Sequence, residues 1–384
     1  MKNIGLYIHV PFCLKKCNYC DFLSFQGLDS SVQKAYFHSL LEEVRQWGAV
    51  YGNEFYVDSL FIGGGTPSLV DSAFIKELMV ALKNHFFFSD SCEITIESNP
   101  KTLTEEKLTA YLDCGINRLS LGVQSMDEGL LKLMGRAHSP EDVLENYRLA
   151  RICGFQNINL DVMFAVPKMT MEIWKNTIEQ VLSLSPEHIS MYSLQLEEGT
   201  PFFRDFEGGI LQEIPDDLDR KMYWEGLDYI TKAGYDHYEI SNLAKPGFAC
   251  RHNLKYWSME DYLGIGLGAH SFVKDHRFSN EANLDAYINN SGNLSQETFI
   301  SEEGTKESSK STNRQSEYVF TGMRKIQGIS KSEFKRKYGV DFMAVYGSVV
   351  TGLQRENYMV CQGDFIKFTP LGIDLSNGVL AEFL

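Results

Sequence analysis

An alternation of short apolar runs with longer helical patterns constrains the fold of this chain more than any other feature. Six such units follow one another, and the first helical pattern starts at about Ser30. Neighbouring parallel strands need a crossover connection, so six successive units predict an α/β fold with a parallel sheet. Right-handed crossovers wind such units into an open sheet or into a complete or partial barrel. The predicted strands are Ile4–Val10, Phe55–Ile62, Glu93–Ile96, Arg118–Val123, Ile158–Phe164 and His188–Leu194.

The chain beyond these units divides into two parts. Residues 302–317 contain no apolar residue apart from Gly304, so we predict a linker or mobile loop over residues 301–317. Residues 1–300 then form the main domain and residues 318–384 a small second one. Its helical patterns and a turn at Gly363 and Asp364 predict a winged-helix-like α+β domain. These elements are helices over Tyr318–Ile326, Lys331–Lys337 and Phe342–Arg355, and a hairpin of Tyr358–Cys361 with Phe365–Phe368.

Composition limits the functional classes. The 384 residues carry a formal net charge of −15, which argues against a nucleic-acid partner because phosphate binding needs clustered Lys and Arg. The N-terminus shows no secretory signal, and no apolar run approaches the roughly 18 residues of a membrane span. We therefore expect a cytoplasmic protein. Peripheral membrane association and a homodimer are both compatible with the sequence.

Three of the eight cysteines fall within eight residues, as Cys13-x-x-x-Cys17-x-x-Cys20, just after the first predicted strand. Thiolates are the ligands of iron–sulfur clusters, and this spacing lets one loop surround a compact cluster. Three cysteines would leave the fourth iron of a [4Fe–4S] cluster open to another ligand. Spacing alone also allows a zinc site completed by a residue such as His9, or three buried and inert thiols.

Polar or glycine residues recur at the C-terminal ends of the predicted strands, where barrel proteins build their sites. The second strand ends in Gly63-Gly64-Gly65-Thr66-Pro67, which suits either close approach of a ligand to the backbone or a plain tight turn. Each side chain alone is equally compatible with a surface salt bridge or a satisfied strand end. The third strand ends near Glu97 and the fourth near Gln124, followed by Arg136, while the fifth carries Asp161 and the sixth Tyr192.

The segment Tyr7-Ile-His9-Val-Pro-Phe-Cys13, together with the cysteine spacing, resembles the radical S-adenosylmethionine (radical SAM) superfamily. The resemblance implies a partial (β/α) barrel with a [4Fe–4S] cluster on Cys13, Cys17 and Cys20. It also implies that SAM chelates the open iron and is cleaved by one electron to a 5′-deoxyadenosyl radical. By resemblance, the positions that contact SAM are Tyr7, Tyr19, Gly64, Gly65, Thr66, Glu97, Gln124, Arg136 and Asp161.

Within this superfamily the chain resembles the oxygen-independent coproporphyrinogen III oxidases and their sister group, the HemW-type haem chaperones. The oxidases carry a further cysteine two residues after the third cluster cysteine, where this chain has Phe22. The segment Arg251–Trp257 contains the HNxxYW motif of the chaperones. The resemblance therefore implies a protein that binds haem and delivers it to haem-requiring respiratory proteins.

The HNxxYW segment offers candidate haem contacts. His252 is the predicted axial ligand and Cys250 a second candidate, while Tyr256 and Trp257 would pack on the porphyrin. A loop that merely holds a hydrogen-bonded histidine is the structural alternative.

Two other functions stay open. One is an oxidase in which the radical abstracts hydrogen from propionate side chains, with loss of CO₂; Phe22 counts against it. The other is a zinc protein without radical chemistry.

Overall fold

The computed structural model describes residues 1–290 and 307–384, with side chains in the helix that starts at Glu307 described from Arg314 onward. The strands are β1 Lys2–Val10, β2 Phe12–Cys13, β3 Phe25–Gln26, β4 Phe55–Gly64, β5 Phe87–Ser98, β6 Arg118–Gln124, β7 Ile158–Phe164, β8 His188–Ser193, β9 Asp236–Glu239, β10 Asn242–Ala244, β11 Tyr262–Ile265, β12 His270–Val273, β13 His276–Ser279, β14 Ile329–Ser330, β15 Met359–Gln362 and β16 Phe365–Phe368. The α-helices are α1 Ser30–Tyr51, α2 Ser72–His85, α3 Glu105–Asp113, α4 Glu128–Leu133, α5 Pro140–Cys153, α6 Met171–Leu184, α7 Pro201–Glu207, α8 Asp216–Lys232, α9 Arg251–Trp257, α10 Leu284–Asn289, α11 Glu307–Gly322, α12 Lys331–Tyr338, α13 Phe342–Arg355, α14 Pro370–Asp374 and α15 Ser376–Ala381.

One large sheet organises the main domain. Its strand order is β13-β12-β11-β1-β4-β5-β6-β7-β8-β10-β9, and the run from β11 to β8 is parallel. The outer strands β12, β13, β10 and β9 are antiparallel to their neighbours. The two ends of the sheet do not pair with each other, so the barrel is partial. The predicted α/β fold class, with all six predicted strands, is confirmed.

The helices begin where the sequence supplies caps. Helix α5 shows this most fully: Ser139 and Asp142 form a reciprocal capping box, and Pro140 occupies the first turn. The helix is capped at its C-terminus by Gly154, whose φ of 117° is a left-handed conformation that glycine adopts easily. Strand β6 is buried at every position, as expected for a parallel strand covered on both faces.

The third strand is longer than predicted. It begins at Phe87 rather than Glu93, because Phe87 and Phe88 pair with Tyr56 and Val57 before the register shifts. The polar stretch from Ser89 to Ser91 interrupts the apolar pattern, so the sequence did not predict the first half of this strand.

The C-terminal part forms a small α+β unit. Its sheet has the order β14-β16-β15, and helices α11 to α15 surround it, which confirms the winged-helix-like prediction. The predicted linker is wrong where α11 begins, since residues 307–317 are helical. Polar residues of this helix pack against polar partners: Ser316 is buried and its hydroxyl donates to the Phe383 carbonyl at 2.7 Å. Residues 301–306 of that prediction lie outside the described residues.

The small unit closes one edge of the large sheet. The amide of Ile240 donates to the Arg324 carbonyl at 3.0 Å, and the amide of Ile326 donates to the Tyr238 carbonyl at 3.1 Å. A second attachment joins α8 to α14, where Asp374 accepts hydrogen bonds from Arg220 and from the Trp224 indole. Within residues 1–290 and 307–384, no helix has the length and apolar character that crossing a membrane requires.

Candidate functional site

The residues predicted for the cluster and for SAM line one cavity together with His252 and Tyr256, whereas the predicted haem contacts Cys250 and Trp257 are not among its lining residues. It has a volume of about 580 Å³ and opens at the C-terminal ends of the parallel strands, where polar strand ends were predicted to meet. The residues concerned are Tyr7, Cys13, Cys17, Tyr19, Cys20, Gly64, Gly65, Thr66, Glu97, Gln124, Arg136, Asp161 and His252.

The cysteine loop is held at both ends. Cys13 closes the short strand β2, which pairs with β3 on the far side of the loop. Between them, the amide of Asn18 donates to the Met134 carbonyl at 2.9 Å, and the Asn18 carbonyl accepts the amide of Phe202 at 2.9 Å. These bonds fix the loop against α4 and α7, so the three half-buried thiols face the cavity in a defined arrangement.

His9 also contacts the segment that follows the cysteine loop. Its Nδ1 lies 3.0 Å from the Tyr7 hydroxyl and its Nε2 lies 2.8 Å from the Leu23 carbonyl oxygen. Both ring nitrogens therefore have partners within the protein. His9 accordingly does not complete a zinc site with the cysteines in this conformation.

Two polar side chains contact the cysteines directly. The hydroxyl oxygen of Thr66 lies 3.7 Å from Sγ of Cys13, and Nη1 of Arg136 lies 3.5 Å from Sγ of Cys17. The guanidinium also donates from Nη2 to the Gly122 carbonyl at 2.7 Å. Arg136 therefore places a positive charge beside the cysteine loop, as suits thiolates that carry negative charge.

Asn99 joins these two contacts and was missed by the sequence analysis. Its Nδ2 donates to Thr66 Oγ1 at 2.9 Å, and its Oδ1 accepts a hydrogen bond from Arg136 Nη2. It stands just after Glu97-Ser98 at the end of β5, so its place at a strand end was the signal that could have found it.

The glycine motif lets the backbone approach the cysteine loop. A Cβ on Gly65 would lie 2.8 Å from the Phe12 carbonyl oxygen and 3.0 Å from Sγ of Cys13. Gly64 has φ of 117°, and its amide donates to Glu97 Oε2 at 3.0 Å. A side chain at Gly65 would collide with the loop and one at Gly64 with the His9 ring, 2.7 Å from such a Cβ, so both positions need glycine for more than a tight turn.

Two carboxyl groups occupy the middle of the cavity. Burial, together with the nearby Asp161 carboxylate, raises the pKa of Glu97 to about 8. Burial also raises the pKa of Asp161, whose oxygens accept from Ser120 Oγ at 3.2 Å and Asn159 Nδ2 at 2.7 Å. Ser120 and Asn159 were not predicted. They lie on inward-facing strand positions, which the two-residue alternation within each strand would have identified.

His252 is 1% exposed and packs inside the protein. Its Nδ1 lies 3.0 Å from Ser59 Oγ, and its Nε2 lies 2.8 Å from the Tyr256 hydroxyl. Burial lowers its pKa to about 3, so the ring is neutral. Ligation of haem iron by His252 stays a prediction, and it requires that the ring give up one of these hydrogen bonds.

The other residues of the HNxxYW segment also have partners within the protein. Tyr256 packs edge-on against Tyr262, with ring centroids 4.5 Å apart, and Arg324 lies over the Trp257 ring at 4.6 Å. Lys255 pairs with Asp58 at 2.9 Å and with Glu260 at 3.0 Å. Cys250 is fully buried. The segment thus joins the barrel wall to the C-terminal unit.

The residues fit a cluster better than a single ion. Within the described ranges, no three His, Cys, Asp or Glu side chains are arranged to hold one metal ion. Three thiols around a cavity, with a glycine backbone and an arginine beside them, suit a larger iron–sulfur group with one side open.

Comparisons with known proteins agree with this geometry. Residues 7–181 match the Radical SAM superfamily model, and residues 311–375 match the HemN C-terminal domain model. The solved structure of coproporphyrinogen III oxidase (HemN) from Escherichia coli aligns with a TM-score of 0.83 and 22% identity, covering 100% of this chain and 90% of that one. The fold and the site define a radical SAM protein.

Full-length sequence relatives narrow the class. The protein named "Heme chaperone HemW" is 34% identical in Lactococcus lactis, with 100% of this chain and 98% of that protein covered. The proteins of the same name in Bacillus subtilis and Haemophilus influenzae are 35% and 33% identical, with 98% of each covered. The chain belongs to the HemW family.

Proposed function

We propose that this protein is a haem chaperone that binds haem and delivers it to haem-requiring respiratory proteins. The observation that carries the proposal is the likeness to relatives named heme chaperones, which extends over the whole chain. Phe22 supports it. This side chain lies at the cavity wall and is 60% exposed, at the position where the oxidases that the chain resembles have a cysteine.

The proposal assigns the cluster and SAM to the cavity. Cys13, Cys17 and Cys20 would hold a [4Fe–4S] cluster, which when reduced supplies the electron that cleaves bound SAM. The glycine backbone and the two central carboxyl groups would bind and orient SAM above the barrel floor. The residues assigned to SAM are Tyr7, Tyr19, Gly64, Gly65, Thr66, Glu97, Gln124, Arg136 and Asp161.

A cytoplasmic location belongs to the same proposal. The cysteines of the described residues are all free thiols, and a reducing compartment keeps them available for a cluster. The acceptor would then meet the chaperone on the cytoplasmic side.

The alternative function is an oxygen-independent coproporphyrinogen III oxidase. The overall fold favours it, since the aligned HemN structure covers the whole chain. Position 22 disfavours it, since a phenylalanine neither ligates iron nor transfers a proton.

One experiment separates the two functions. The cluster-reconstituted protein is titrated anaerobically with haem, and the same sample is assayed for conversion of coproporphyrinogen III to protoporphyrinogen IX. Haem binding without conversion supports the chaperone, whereas conversion establishes the oxidase. A protein that neither binds haem nor converts the porphyrinogen contradicts both.

Delivery needs its own test. Haem-loaded protein is mixed with a haem-free respiratory cytochrome, and transfer is followed by the change in absorbance. The control is free haem at the same concentration. If the protein is a chaperone, the holo-cytochrome forms faster from haem-loaded protein than from free haem. Equal rates of formation in the two samples argue against delivery.

A further inference from the structure

The cavity continues below the residues assigned to SAM. Along β6 the inward-facing positions alternate, so Arg118, Ser120, Gly122 and Gln124 all line it. Gln124 lies at the mouth and Arg118 at the opposite end of the strand. Arg118 therefore forms part of the cavity floor, a position to which neither the motif analysis nor the comparisons assign a role.

Arg118 is a buried cation with few partners. Its side chain is 2% exposed, and Nη1 makes a weak hydrogen bond of 3.4 Å to Thr95 Oγ1. Its Nε has no hydrogen-bond partner. Among the described residues, no carboxylate forms an ion pair with it.

The carboxyl groups near Arg118 belong to Glu93, Glu97 and Asp161, and each accepts hydrogen bonds from other donors on at least one oxygen, Glu97 from the Gly64 amide at 3.0 Å. Glu93 accepts the backbone amides of Arg251 and His252, at 3.0 and 3.3 Å. Asp161 accepts from Ser120 and Asn159. These three carboxyl groups interact with the guanidinium at longer range, but none of them forms a hydrogen bond with its free N–H groups.

An arrangement of this kind is costly unless something else completes it. A guanidinium has five N–H donors in a planar fork, and a buried charge is normally paired and hydrogen-bonded. The carboxylate group matches that fork in shape and charge. A buried arginine that faces a cavity with free donors is therefore suited to an anion that enters the cavity.

A second unpartnered group lies on the same cavity wall. Oδ1 of Asn242 is buried and accepts no hydrogen bond, although Nδ2 of this side chain donates to Glu239. The floor of the cavity thus offers free donors on Arg118 and a free acceptor on Asn242. Two such groups in one cavity point to a polar ligand.

We propose that Arg118 is an anion-binding residue and takes a carboxylate group at the floor of the cavity. Two sources supply this chemistry: a propionate of haem, or a small free carboxylate. The haem source rests on the proposed function. The free source does not.

The test compares ligands with and without a carboxylate on three proteins. These are the wild type, Arg118→Met, which keeps the length without the charge, and Arg118→Lys, which keeps the charge without the fork. The probes are haem, haem dimethyl ester and succinate, each added anaerobically to the cluster-reconstituted protein. SAM affinity serves as the control for an intact site.

If a propionate binds Arg118, wild type binds haem at least about tenfold more tightly than haem dimethyl ester. Arg118→Met removes that difference by weakening haem alone, and Arg118→Lys restores part of it. If a free carboxylate binds instead, haem and its ester bind equally. Succinate then raises the thermal midpoint of wild type but not of Arg118→Met.

The proposal is overturned if neither esterification nor succinate distinguishes wild type from Arg118→Met. The thermal midpoints of the ligand-free proteins provide a second test of the proposal. Because Arg118 has no direct ion pair, replacing it with methionine loses only the longer-range attraction of the nearby carboxyl groups and changes the midpoint little. A clear fall in the midpoint of Arg118→Met shows instead that the protein itself satisfies the guanidinium, and this also overturns the proposal.

Failure of the haem-chaperone function is distinguishable from failure of this inference. Wild-type protein that binds neither haem nor its ester contradicts the chaperone function alone. The succinate comparison and the stability comparison then still decide whether Arg118 binds an anion.

Discussion

The hydroxyl of Tyr192 donates a hydrogen bond to Oε1 of Gln124, with the two oxygens 2.7 Å apart. Tyr192 is the residue before the end of β8 and Gln124 is the last residue of β6, and β7 separates these strands in the sheet, so the bond crosses the cavity mouth. Gln124 has a left-handed backbone with φ of 65°, which is unusual for a residue other than glycine. Tyr192 therefore fixes the side chain of a residue assigned to SAM whose backbone is strained.

Removing this bond should weaken SAM binding without loss of the cluster. We expect Tyr192→Phe to lower SAM affinity by roughly 3- to 10-fold, because one hydrogen bond contributes about 0.5–1.5 kcal/mol. The measurement is anaerobic calorimetry with SAM, with iron content determined in parallel. Tyr56→Phe is the control, since Tyr56 is 42% exposed. Equal SAM affinity in Tyr192→Phe and wild type would contradict the role.

Replacing Arg136 with lysine should be costly although the charge is kept. The guanidinium contacts Cys17, Asn99 and Gly122 at once, and an ammonium on a flexible stem does not reproduce that fork. We expect Arg136→Lys to lower SAM affinity by at least about tenfold and to shift the reduction potential of the reconstituted cluster. The exposed Lys132, changed to methionine, is the control. A potential and an affinity equal to wild type would show that charge alone suffices.

Glu97 should give the stability a distinctive pH dependence. Its folded-state pKa of about 8 is above the usual value, so the folded protein holds a proton that the unfolded chain releases as the pH rises. Stability from this group is complete at low pH and is lost toward pH 8. We expect Glu97→Gln to become the more stable protein as the pH rises from 5 to 8, by at most about 1.4 kcal/mol per pH unit.

Urea unfolding of both proteins at pH 5, 6, 7 and 8 checks the Glu97 prediction. Glu106→Gln is the control, because Glu106 is exposed at the first turn of α3. A stability difference that does not change with pH would show that Glu97 is already ionised in the folded protein.

The two hydrogen bonds of His252 can be separated from haem ligation. We expect His252→Ala to lower the free energy of unfolding by about 2–4 kcal/mol, because it leaves Ser59 and Tyr256 without their partner and opens a cavity. Tyr256→Phe removes one partner and frees Nε2. If His252 ligates haem, the haem spectrum of Tyr256→Phe is retained and that of His252→Ala is changed. Identical spectra in all three proteins leave His252 a structural role.

The attachment of the C-terminal unit should depend on Asp374. We expect Asp374→Asn to destabilise this contact by about 1–2 kcal/mol, since both Arg220 and Trp224 donate to the carboxylate. Hydrogen exchange of α14 reports the change directly. Glu382→Gln at the far end of the unit serves as control, and equal exchange in Asp374→Asn and wild type would contradict the prediction.

Where a local pattern carries the information, the sequence indicated residues that the structure brings together in one cavity, and their roles toward a cluster and SAM stay predictions. The cysteine spacing marks the cysteine loop, and the strand pattern places Glu97 near the end of β5 and Asp161 within β7, two strands further along the sheet. It did not predict the partners of His252, because Ser59 is 193 positions away along the chain. Arg118 was missed for the same reason, because its surroundings depend on side chains that only the folded sheet brings near, whereas Asn99 had a signal in its place at a strand end.

Composition also misled where polarity was taken for irregular structure. Residues 307–317 contain only polar residues, yet they are helical, and Ser316 pairs with Phe383 of the C-terminal unit while Glu317 pairs with Arg277 of β13 in the large sheet. The polar stretch that hid the first half of β5 is a comparable case. A polar segment therefore stays ambiguous until its tertiary partners are known.

The hydrogen bonds between residues 324–326 and the β9 edge explain how a partial barrel can avoid self-association. A closed barrel has no free strand edge, whereas a partial one presents edges that can recruit a strand from another molecule. Ile240 and Tyr238 give hydrogen-bonding groups of that edge to Arg324 and Ile326 instead. The C-terminal unit thus covers a strand edge that could otherwise pair with another molecule, and a chain that ended before residue 318 would leave that edge exposed.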